Sequence, residues 1–96
     1  MLAEAGLPRP ETQIPVNDGW RLVGVLDMGW ERYKVGVEYD GEHHRTDRRQ
    51  YARDQWRLRR LDELGWIVVR VIVGDKPEDV VRRVRAALGR RGCREI

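Results

Sequence analysis

Residues 38 to 44 run Glu38-Tyr39-Asp40-Gly41-Glu42-His43-His44, and Asp27 lies upstream across a short predicted hairpin. Side chains alternate along a strand, so Glu38 and Asp40 share one face while Val35, Val37 and Tyr39 face the other, toward a core. Carboxylates gathered on one face repel each other, and a protonated partner, a basic side chain or a divalent cation relieves them. The cation is the leading expectation. Asp27, Glu38 and Asp40 offer hard oxygen ligands to one or two Mg²⁺ or Mn²⁺ ions, which keep waters free for a phosphate. Such an ion activates a bound water and neutralises charge building on phosphate oxygens. The competing expectation is a hairpin whose exposed acids merely pair with neighbouring arginines.

Several elements must position these residues. Ile14-Pro15-Val16, followed by Asn17-Asp18-Gly19, reads as a short extended piece ending in a turn, and Trp20 to Met28 as a strand. Gly29 to Arg32 turns the chain into a second strand, Tyr33 to Asp40, which pairs with the first as an antiparallel hairpin. A helix starts at Asp47 or Thr46, either of which can cap it, with Gln50 placed for a capping box. Tyr51, Leu58 and Leu61 mark its inner side, Arg48, Arg49, Arg53, Arg59 and Arg60 decorate the others, and Gly65 stops it. Trp66 to Val73 is a β-branched run interrupted by Arg70, the pattern of a central strand covered on both faces. Asp75 is the expected cap of a last helix carrying Pro77 in its first turn and a stripe of Val80, Val81, Val84, Ala87 and Leu88. The order is partial helix, β, β, α, β, α. It predicts an α/β domain, a mixed sheet flanked by helices.

Ninety-six residues allow one small domain, residues 1–96, and 41% hydrophobic content is too apolar for disorder. The lone Cys93 cannot form an internal disulfide, and neither a signal-like segment nor a membrane-spanning apolar run is present, so a reducing cytoplasmic setting is expected. The net charge of +3 hides an asymmetry. Residues 1–44 hold four Arg and Lys against eight Asp and Glu, whereas 45–96 hold fifteen against eight. An acidic segment followed by arginine-rich helices suits a polyanion-binding metal enzyme, although solvated arginine faces are common.

The run Val35 to Arg45, with Leu26-Asp27 before it and Arg53-Asp54, Leu58, Leu61, Gly65-Trp66 and Val69-Arg70-Val71 after it, resembles bacterial domains similar to very-short-patch-repair endonucleases. These belong to the PD-(D/E)xK, or restriction-endonuclease-like, superfamily, and the likeness covers about residues 7 to 90. The resemblance implies a restriction-endonuclease-like mixed sheet and Mg²⁺-dependent hydrolysis of DNA phosphodiester bonds. By it, Asp27 stands for the motif's first Asp and Glu38 for its (D/E), both as metal ligands. Asp40 stands where the motif has lysine, so the cation must come from elsewhere. His43 or His44 can act as acid or base. Arg48, Arg49 or Arg53 can clamp the scissile phosphate, and Arg45 belongs to the same basic run toward DNA. The family's first helix is nearly absent, with Met1 to Gly6 its only trace, so a homodimer or another partner completing that layer is expected.

Other chemistries fit less well. Two histidines and a distant Cys93 fall short of a closed zinc set, a ββα-metal nuclease needs further His or Asn ligands, and a Ser-His-Asp triad is excluded because the chain has no serine. Trp56 could stack on a base, while Trp20, Trp30 and Trp66 are expected to close the core or cover sheet edges. Two further functions remain open: a catalytically inactive nucleic-acid-binding module of the same fold, and a partner-binding remnant.

Overall fold

The computed structural model describes residues 6–40 and 47–94. Strands β1 (Glu11–Asp18), β2 (Arg21–Trp30) and β3 (Val35–Asp40) are followed by helix α1 (Arg48–Glu63), strand β4 (Ile67–Ile72) and helix α2 (Pro77–Arg90). One four-stranded sheet has the spatial order β1-β2-β3-β4. The first three strands form an antiparallel meander, and β4 joins β3 in parallel register, Glu38 beside Arg70 and Asp40 beside Ile72. A parallel neighbour requires a crossover, which α1 provides.

The two helices serve the sheet differently. Val80, Val84, Ala87 and Leu88 of α2 are buried against Val35, Val37, Val69 and Val71, with Leu7, Trp30 and Cys93 closing that layer. Each such aliphatic side chain contributes roughly 1.5–3 kcal/mol by leaving water. Leu61 is the buried residue of α1, set among Ile14, Val16, Val23, Leu26 and Trp66. Most of α1, with Arg48, Arg49, Arg53 and Arg59 exposed, therefore stays toward solvent. Arg60 fixes its orientation by donating to Asp18 Oδ2 from Nε at 2.9 Å, and that hydrogen bond pushes the guanidinium above its ordinary value.

Sequence and structure agree on the mixed α/β sheet and on the α1 cap, where Asp47 accepts from the Arg49 and Gln50 amides. They differ elsewhere. The short extended piece at Ile14 is a full strand. It is hidden in the sequence because only Ile14 and Val16 of β1 are buried, and Pro15 between them is tolerated on an edge strand. Strand β4 lies at the opposite edge rather than centrally, its β-branched run explained by helices on both faces. Trp20, expected to close the core or cover a sheet edge, is 96% exposed at the β1–β2 turn. Asp75 accepts the Ile72 amide and faces Arg83 instead of capping α2, whose cap residue is Lys76.

Candidate functional site

Strand β2 delivers Asp27 through an irregularity. Two residues apart, Leu26 packs on the α1 side and Met28 against the α2 side, whereas a regular strand keeps such positions on one face. The alternation therefore breaks at Asp27. Across the hairpin, between the Thr12–Met28 and Ile14–Leu26 pairs, Gln13 takes a left-handed φ of 50°, a strained conformation for a residue with a Cβ. On the other side, the β2–β3 ladder runs from Trp30–Val35 to Met28–Val37, and the next free amide, Tyr39 N–H, donates to Asp27 Oδ2 at 2.8 Å. A side chain replaces the main-chain acceptor where the strands part. Tyr39 itself is half exposed, not in the core as its parity predicts, because β3 here extends past the ladder.

Glu38 and Asp40 do share a face, and it is the α1 face. Glu38 is 8% exposed, the sole buried charged residue among those described. Its Oε1 pairs with Arg57 of α1, while Arg70 of β4 stands 3.9 Å from Oε2 and 3.2 Å from Asp40 Oδ1. Parallel register makes the second contact unavoidable, since Arg70 lies beside Glu38 on the same side of the sheet. The Arg57 contact depends on Gly24. A Cβ there would lie 3.0 Å from Arg57 Cδ and 3.1 Å from its Nη1, so the bare backbone lets the side chain cross β2.

These groups line a cavity of about 160 Å³ with Asp27, Tyr39 and Asp54. Four carboxylates against two guanidiniums leave it a formal charge of −2. Glu38 Oε2 and Arg70 Nε are buried there without a hydrogen-bond partner among the described residues. Desolvated charged atoms of this kind are costly, and they mark a place where polar ligation would be gained. In donor type and charge the cavity suits one hard divalent cation. In spacing it is less closed: among the described residues no three Asp, Glu, His or Cys side chains converge as a metal-binding group.

The structure thus brings Asp27, Glu38 and Asp40 into one cavity. Arg48, Arg49 and Arg53 lie exposed on the first turns of α1. His43, His44 and Arg45 lie outside the described residues. Sequence reasoning missed Arg57 and Arg70. The interruption of the β4 apolar run by Arg70 was the available signal; Arg57 gave none, because its partner is on a different element.

No family model matches the chain, and no solved structure does. Two Mycobacterium tuberculosis proteins are similar to it, MT2308 of strain CDC 1551 and Rv2248 of strain H37Rv, both named only as uncharacterized proteins. Each is 29% identical over all 96 residues, and the chain spans 34% of their length.

Proposed function

We propose that this chain is a restriction-endonuclease-like domain that hydrolyses DNA phosphodiester bonds with Mg²⁺ or Mn²⁺. The observation carrying the reading is the shared cavity of Asp27, Glu38 and Asp40, formed where an antiparallel hairpin opens beside a parallel strand brought back by α1. The formal charge of −2 and a buried Glu38 Oε2 that has no hydrogen bond among the described residues, only the 3.9 Å approach of Arg70, add to it. Asp27, Glu38 and Asp40 would hold the ion, competing with the guanidiniums that now neutralise two of them. When bound, the ion supplies Lewis-acid stabilisation of phosphate charge and a more acidic water. Arg70 takes the part of the missing lysine, because it already sits between Glu38 and Asp40 and can turn toward a phosphate oxygen. Arg48, Arg49 and Arg53 neutralise the flanking backbone.

The test is nicking of supercoiled plasmid with Mg²⁺ or Mn²⁺ by the parent, Asp27→Asn and Glu38→Gln. A loss of about 100-fold or more in both variants is expected. Equal nicking by all three rejects the assignment.

A second reading, a catalytically silent DNA-binding module, is favoured by the arginine pairing of Glu38 and Asp40 and by the open spacing of the acids. It predicts salt-sensitive DNA binding that persists in both variants with no cut product.

A further inference from the structure

A second depression adjoins the acidic one. It encloses about 660 Å³ between the start of β2 and the outer side of α1, and its walls include Arg21, Gln50, Arg53, Asp54, Trp56 and Arg57. Asp54 and Arg57 line both cavities, so the two share a wall. Their electrostatics are opposite: three guanidiniums against one carboxylate give this groove a formal +2 beside the −2 of its neighbour.

Trp56 is 40% exposed here, and Arg21 lies over its ring with Cζ 4.8 Å from the centroid. An indole presented to solvent with a planar cation on it is a stacking platform, because a base can take the place of the guanidinium or stack on it. Arg53 is exposed beside it, one helical turn before Arg57, and has no hydrogen bond or ion pair among the described residues. The volume falls within the range of small-molecule sites and suits a nucleotide. The mixture of aromatic face, exposed cation and amide is what an unpaired nucleotide uses; a duplex has no base face to offer.

We propose that this groove binds a segment of single-stranded nucleic acid, one base stacked at Trp56 and its phosphates on Arg53 and Arg21, which it leads toward Glu38. The inference rests on the proposed nuclease reading for its direction along the groove, but not for the binding itself.

The experiment is fluorescence anisotropy of the full chain with labelled oligothymidylate of about 12 nucleotides, a length within single-strand site sizes, in EDTA so that nothing is cut. The same-length duplex is the comparison. The parent is expected to bind the single strand more tightly than the duplex, with quenching of tryptophan emission. Trp56→Ala should weaken the single strand about ten-fold, and Trp56→Phe should retain most of the affinity. Arg53→Ala should lower the slope of log K against log salt by about 0.7. Unchanged affinity in Trp56→Ala, equal binding of duplex, or no binding by the parent overturns the proposal. If Glu38→Gln abolishes nicking while Trp56→Ala leaves binding untouched, the groove is wrong and the nuclease reading stands. Trp56-dependent binding with identical nicking by parent and Glu38→Gln has the opposite meaning.

Discussion

Arg57 reaches Glu38 from a different element, and its replacement leaves a nearly buried carboxylate with only the longer approach of Arg70. Arg57→Met should therefore cost about 1–3 kcal/mol in urea denaturation, because a desolvated negative charge loses its closest partner. Adding Glu38→Gln to it should recover part of that cost, since the desolvated charge is then gone; additive costs in the double variant would show that the pair is not coupled. At this scale the sequence was partly readable. The alternation of β3 put Glu38 and Asp40 on one side, and their place in a common cavity with Asp27 agrees. Alternation failed at Tyr39, and it said nothing of the break at Asp27, because both depend on where a neighbouring strand stops pairing.

Among the elements, β2 and β3 approach each other through glycines. A Cβ at Gly29 would lie 2.4 Å from the Val35 carbonyl oxygen and 2.9 Å from Gly36 Cα, both main-chain atoms, whereas one at Gly36 would meet Leu26 Cδ1 at 2.6 Å. A leucine tip can rotate and a strand backbone cannot. Gly36→Ala should cost about 1–3 kcal/mol as an overpacked core does, and Gly29→Ala clearly more, measured by thermal or urea denaturation. Equal destabilisation would mean that the strands slide to make room. The helices were legible in part: Asp47 caps α1, Pro77 opens α2 and the α2 stripe holds, but Asp75 does not cap α2, and Tyr51, expected on the inner side of α1, is 57% exposed. Edge strand β1 was the least legible, since its ladder is supplied by β2 and its own residues are mostly polar and exposed.

For the whole molecule, the charge asymmetry along the chain becomes an asymmetry in space. Acids of the hairpin and arginines of α1 meet at one boundary, where the negative cavity and the positive groove share Asp54 and Arg57. The chain order predicted that both charges exist, yet only the crossover of α1 over the sheet puts them side by side. Trp20 shows the limit of composition: a tryptophan is usually a core residue, and this one is carried out to a turn by the hairpin it closes.

The parallel pairing of β3 with β4 has a consequence in time. The meander closes through short turns, but Arg70 cannot meet Glu38 until the segment containing α1 has been threaded back, and that loop closure is entropically the most demanding step. The carboxylate cavity is then expected to assemble last. Stopped-flow chevrons should show Arg70→Met accelerating unfolding while leaving the refolding limb where it was. A slowed refolding limb would instead make the Arg70 pairing part of the nucleus.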